Sequence, residues 1–292
     1  MIIRSTFHSR LRYLSSQNMR TASELGNLHE QITTGKRITK LSDEPWAVSE
    51  LHQLREGLET QAIHKDSSNR AATILNTKEY ALTAGINIVD RAKMLAVQYG
   101  NDTYSLQELE SGAEEILMMK DRMREIANTD FHGRYLFAGE AYDTPPFDTT
   151  YSYVGSTTES EIDVSEVSDV TVGTVGSDVF QGAADIFLVL DDLAVAMAAE
   201  DGTNIRAAID DLDDIYQQLD EYRTQVGMDT RMALDMNEMA TNMEMELKTR
   251  LSNVEDADIA DVLTRFSLMQ TQYEVNLQLT AKSKSVTLFS RM

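Results

Sequence analysis

Cysteine is missing from all 292 residues, which excludes disulfides, thiol nucleophiles and Cys-ligated metals. Proline is nearly missing: there are three, two of them side by side at Pro145-Pro146. Fourteen glycines are few for this length, so little in the chain forbids long helices. No apolar run approaches the ~20 residues of a membrane span. Arg4, Arg10 and Arg12 break up the apolar start, so no Sec-type leader is expected. The signatures of catalysis are also absent. None of the five His stands four residues from another, HExxH, GxSxG and GxGxxG do not occur, and Gly35-Lys36 lacks the upstream Gly and downstream Ser/Thr of a phosphate loop. The run Asp210-Asp211-Leu212-Asp213-Asp214 lacks the alternating ligands and central Gly of a calcium loop, and reads as the wet face of a helix. No enzyme, cofactor or metal is expected.

Basic charge is scarce and unevenly placed. The net charge is −22, yet residues 1–40 carry seven Lys/Arg against two Asp/Glu, and residues 140–222 carry 20 Asp/Glu against Arg206. Nucleic acid is not an expected partner, because phosphate contacts need a basic face and the early arginines are spread around their helix. The middle of the chain is an acidic, solvent-facing segment.

Heptads are what the chain has in plenty. From Thr203 to Met292 there is no Pro, and the one Gly is Gly227. Apolar residues recur every seven positions at Ile205, Leu212, Leu219, Val226, Ala233, Ala240, Leu247 and Val254, accompanied by Ala208, Ile215, Tyr222, Met236 and Met243. Past Asp256 a different seam takes over: Ile259, Val262, Phe266, Met269, Tyr273, Leu277, Leu288. As one straight helix this stretch would be on the order of 130 Å long. Such a helix cannot pack on itself and requires partner helices, from its own chain or from other copies.

Residues 5–34 form a second, thinner heptad helix along Phe7, Leu11, Leu14, Asn18, Thr21, Leu25, Leu28 and Ile32, ended by Gly35. Its apolar area is too small to hold it folded alone; it is expected to order when docked, beside residues 256–290. Asn18 either sets register on that seam or faces solvent. Ser42-Asp43-Glu44-Pro45 opens a long helix to about Tyr99, with Val48, Leu51, Leu54, Leu58, Ala62, Leu75, Leu82, Ile86, Val89 and Ala96 inward. Ser105 and Glu108 have capping-box spacing and open a third helix to about Asn128. Between Phe131 and Phe180 the texture changes to Gly, Pro, Thr, Val and Tyr, with alternation at Ile162, Val164 and at Val170, Val172, which predicts short strands and turns. Helix resumes at Ile186, Leu190, Leu193 and Met197. Trp46 is either an interface anchor or a local staple, and the Met-rich stretch from Met228 to Met245 either core packing or an adaptable surface.

The fold class read from this pattern is mainly α: a long antiparallel helical rod or coiled coil with a small β-rich insertion. Expected divisions are a terminal domain built from 1–44 and 251–292, rod halves at 45–139 and 183–250, and the insertion at 140–182.

Several stretches carry a family likeness. Gln31-Ile32-Thr33-Thr34-Gly35-Lys36-Arg37-Ile38 with Ser42-Asp43-Glu44-Pro45, Asn69-Arg70-Ala71, Ala92 through Asn101, Ile126-Ala127-Asn128-Thr129, Gly133-Arg134-Tyr135-Leu136-Phe137-Ala138-Gly139 and Val254 through Ala260 resemble the flagellin superfamily of bacterial axial proteins. Ser42–Pro45 and Gly133–Gly139 are closer to its hook–filament junction branch than to flagellin; Leu41 and Trp46 depart from the pattern. The resemblance implies a non-enzymatic ring of copies joining hook-associated protein 1 to the flagellin filament. It also implies export by the flagellar type III route without a cleaved signal peptide, a cytosolic export chaperone, and an extracellular place on the flagellum, with no membrane or nucleic-acid partner. The expected assembly contacts are Phe7, Leu11, Leu14, Leu25 and Leu28 against Ile259, Val262, Phe266, Tyr273 and Leu277. The rival readings are flagellin itself and a cytoplasmic helical scaffold or signalling protein.

Overall fold

A computed structural model describes residues 2–39, 44–100 and 104–289 and, in the two terminal helices, the side chains at 9, 12–34 and 259–282. Leu41, Ser42-Asp43 and Asn101-Asp102-Thr103 lie outside the described residues, as do the side chains of Phe7, Leu11 and Leu288. The protein is mainly α. In chain order the elements are α1 (Ile2–Thr34), α2 (Pro45–Tyr99), α3 (Leu106–Ala127), β1 (Asp130–Phe131), β2 (Arg134–Tyr135), β3 (Ser160–Asp163), β4 (Asp169–Gly173), α4 (Gly176–Phe180), α5 (Ile186–Ala198), α6 (Gly202–Glu255) and α7 (Ile259–Phe289).

Each helix end has a local chemical cause. Gly35 ends α1 at φ +70°, a left-handed conformation that costs Gly no steric penalty. The Glu108 carboxylate takes hydrogen bonds from the Ser105 backbone N–H (2.9 Å) and hydroxyl (2.7 Å), closing the first turn of α3 and holding its own acidity above that of an ordinary Glu. Asp185 caps α5, accepting from the N–H groups of Phe187 (2.9 Å) and Leu188 (3.2 Å). At Asp256, where the apolar period changes hands, the helix breaks. Asp258 accepts from the N–H groups of Ala260 (3.0 Å) and Asp261 (3.2 Å), and α7 starts afresh.

The chain divides into two compact units, residues 1–60 with 244–292 and residues 61–243. The second has the larger core. Leu75, Leu82, Ile86, Val89 and Ala96 of α2 meet Leu109, Ile116 and Met123 of α3, Ile186, Leu190, Leu193 and Met197 of α5, and the α6 heptad from Ile205 through Leu212 and Leu219 to Val226 and Ala233. Within residues 61–243 the expected inward positions are buried or half-buried except Ala62, which faces solvent, and Met243, which is exposed.

Strands play a small part in the insertion. β3 and β4 pair antiparallel, with Ile162 opposite Val170, and β1 pairs with β2. The remainder is turn, wrapped on an aromatic cluster: Phe147 lies 5.7 Å from Phe180 and 5.2 Å from Phe187, and Phe137 stands edge-on to Phe180 at 5.1 Å, measured between ring centroids. Asn128, just past α3, exchanges two 2.9 Å hydrogen bonds with the Phe147 backbone, one through each end of its carboxamide. Tyr151 sits at φ +62° and reaches α3, donating its phenol to Asp121 at 2.7 Å, with the Lys120 ammonium 4.3 Å from its ring centre.

Candidate assembly interface

The terminal helices α1 and α7 pack on each other. Two pairs fix their direction. His29 faces Phe266, with ring centroids 6.3 Å apart, and the Asn18 Nδ2 donates to the Thr280 hydroxyl at 3.3 Å. Residue numbers rise along one helix as they fall along the other, so the pair is antiparallel.

The shared seam is thin. Leu28 and Val262 are buried, and Leu14, Leu25, Phe266 and Tyr273 are half-buried. Ile259 and Leu277, expected in the same seam, are 39% and 44% exposed. The half-buried positions on α7 are instead Phe266, Met269, Tyr273, Asn276 and Thr280, alternating by four and three. Asn276 and Thr280 were missed because they are polar; their spacing from Tyr273 was the signal that could have found them. Phe7 and Leu11 fall among side chains outside the described residues.

α7 is apolar on more than one face. Leu263, Leu268, Val275 and Leu279 are about half exposed, in addition to Ile259 and Leu277. A helix that is apolar beyond one stripe is a helix buried on more than one side, and α1 does not cover this surface.

A charged node holds the base of this pair. Glu255, 5% exposed at the end of α6, receives Lys36 Nζ at 2.5 Å and Arg55 Nη2 at 2.7 Å on the same carboxylate oxygen. The chain after α1 is stitched to the α6–α7 break by Arg37 N–H to Glu255 O (2.6 Å) and Ala257 N–H to Gly35 O (2.9 Å). The Arg37 guanidinium also spans the Glu44 carboxylate (2.6 Å) and the Val254 carbonyl (2.8 Å). Beneath the node lies a small apolar cluster of Ile38, Ala47 and Leu51 with Leu251 and Val254. Glu255→Ala leaves the Lys36 ammonium and the Arg55 guanidinium without their buried partner. The expected cost is about 2–3 kcal/mol, held below the value for a fully buried pair because both cations are half exposed. Trypsin cleavage after Lys36 and Arg37 is the readout, and it should quicken several-fold while cleavage within residues 61–243 does not.

Trp46 is 69% exposed and packs as no staple. In the Met-rich stretch, Met232 and Met236 are half-buried and Met228, Met239, Met243 and Met245 exposed. Met236, Met239 and Met243 line an open groove of about 340 Å³ with His64 and the turn between β3 and β4. Among the described residues no three His, Asp or Glu side chains converge as metal ligands would, and no helix is long and apolar enough to cross a membrane.

Helices that end in a thin antiparallel pair, with an insertion between them, are the architecture a matching family must share. The model of the bacterial flagellin N-terminal helical region matches residues 11–141, and that of the flagellin C-terminal helical region matches residues 209–290. The chain belongs to the flagellin family. Within it, flagellar hook-associated protein 3 of Salmonella typhimurium is 24% identical over 91% of this chain and 92% of its own length. Bacillus subtilis flagellin is 23% identical over 88% and 87%. The crystal structure of the flagellar junction protein FlgL from Legionella pneumophila shares the fold with a TM-score of 0.58, 12% identity, and coverage of 72% of this chain and all of its own. The likeness to hook-associated protein 3 runs nearly end to end, and the protein is a structural, flagellin-like component of the flagellum.

Proposed function

We propose that copies of this protein form a ring that joins the hook, through hook-associated protein 1, to the flagellin filament. The observation that carries this is the exposed apolar surface of α7 flanking the seam on both sides, Leu263 on one and Leu268, Val275 and Leu279 on the other, which the described residues of the single chain leave about half open. Side-by-side copies would bury it, each large apolar side chain contributing ~1.5–3 kcal/mol. In this reading residues 1–44 and 251–292 make the inner tube, 45–139 and 183–250 the helical support, and 140–182 the outward insertion. The assembly contacts are Phe7, Leu11, Leu14, Leu25 and Leu28 on α1, with Ile259, Val262, Phe266, Tyr273 and Leu277 on α7. Export by the flagellar type III route without a cleaved signal peptide belongs to the same reading, as does a chaperone holding α7 beforehand.

The flagellin match from Bacillus subtilis supports a second reading, a filament subunit. A cytoplasmic scaffold is the reading from outside the family. Immuno-electron microscopy of intact cells, with antibody to residues 140–180, separates the three. Label in a narrow band where hook meets filament is expected. Label along the filament would make the protein a flagellin, and flagellated cells that express it but show no surface label would favour the scaffold.

A further inference from the structure

α2 carries its core stripe at Leu75, Leu82, Val89 and Ala96, with Lys78, Gly85 and Ala92 completing the alternation by three and four. At one of these core positions the sequence places a lysine. The side chain of Lys78 is fully buried, and its Nζ donates to the Thr174 hydroxyl at 2.6 Å. Thr174 is itself buried and forms the hub of the insertion. It follows β4 directly, its carbonyl accepts from Gly139 N–H at 3.3 Å, and its N–H reaches the Leu136 carbonyl at 3.4 Å.

The charged groups that bear on Lys78 are Asp229 from α6 and Glu159 from the segment before β3. Neither makes a hydrogen bond to it. Asp229 is held by Gln225 at 3.0 Å, and its own acidity is weakened chiefly by burial. Glu159 also bears on Tyr222 of α6, whose phenol is pushed up mainly by burial. One neutral hydroxyl is poor solvation for an ammonium that lost its water to reach this position.

We propose that Lys78 is a proton-sensitive clasp: neutral, it seats the β3–β4 segment on α2 through Thr174, and charged, it favours an opened segment in which water reaches the ammonium. Burial brings the Lys78 pKa down from 10.5 to about 7, with Asp229 and Glu159 opposing the fall. The group therefore titrates near neutrality when the clasp is closed and near its ordinary value when it is open. Below pH 7 both forms carry the proton. Between about 7 and 10.5 only the open form does, so closure strengthens as pH rises through that window and weakens as pH falls.

Hydrogen–deuterium exchange of the full-length protein tests this, with amide protection in residues 160–175 compared with that of α5 after correction for intrinsic rates. From pH 6.0 to 8.5 the ratio should rise on the order of 30-fold. In Lys78→Met, which fills the site without a charge, the ratio should be flat. A constant ratio in the natural protein overturns the proposal, as does the same pH dependence in Lys78→Met. If that variant does not fold, the carbon-detected NMR titration of the Lys78 side chain decides. A midpoint near 7 supports the clasp, and one near the ordinary ~10.4 overturns it.

Discussion

Phe266→Asp is expected to abolish self-association of the protein while moving the monomer's melting temperature by no more than about 2 °C. Phe266 lies in the α1–α7 seam opposite His29 and is only half-buried there. That seam holds few buried apolar side chains, Leu28 and Val262 foremost. The cooperative core sits in residues 61–243, where α2, α3, α5 and α6 bury full heptads. A carboxylate at 266 therefore takes little from the melting of a monomer whose stability comes from elsewhere. In an assembly the same carboxylate would be driven into apolar contacts repeated at every subunit, and an unpaired buried charge is costly at each. Analytical ultracentrifugation and calorimetry on the same samples check both halves. A fall in melting temperature of ten degrees or so would show that the seam belongs to the monomer's own core. Retained self-association would remove α7 from the interface.

The helices were legible because their signals are long. Eight apolar residues spaced by seven, from Ile205 to Val254, define a face that nothing local contradicts, and six of them are buried. Caps read well for the same reason: Gly35 and the Ser105–Glu108 pair act through atoms of the next few residues. The break at Asp256 showed as a change of seam, but the Glu255 node did not show. Lys36, Arg55 and Glu255 are up to 219 positions apart in sequence and meet only because the chain folds back. The α7 seam is less apolar than its heptad pattern suggests: Leu277 is 44% exposed, and its polar neighbour Asn276 is the half-buried one. Lys78 escaped because a lysine inside a heptad is ordinarily read as a face turned to water, and burial of its ammonium depends on Thr174, 96 residues away. In the insertion the alternation at Ile162, Val164 and at Val170, Val172 marks the β3–β4 hairpin, yet the segment's cohesion lies in phenylalanines scattered from 137 to 187, which no period connects.

That last point yields a second large effect. Phe147→Ala is expected to destabilise residues 61–243 by about 3–5 kcal/mol. Phe147 is 1% exposed, with the rings of Tyr153, Phe180 and Phe187 all within 6 Å of its own, centre to centre. Its backbone is clamped at both polar atoms by Asn128, so the chain cannot slide to fill the void that truncation leaves. Phe187 belongs to α5 and Asn128 follows α3, so the cavity would open where the insertion is rooted on its helices. For a unit of this size the loss corresponds to a fall in melting temperature of about 10 °C. Val167→Asp, at the 92% exposed tip of the β3–β4 turn, is the control and should change stability by no more than about 0.5 kcal/mol. If Phe147→Ala melted like Val167→Asp, the insertion would be an appendage whose folding does not feed back on the bundle. A large shared loss of both insertion and helix signals in one transition would make the aromatic cluster part of a single cooperative core with α3 and α5.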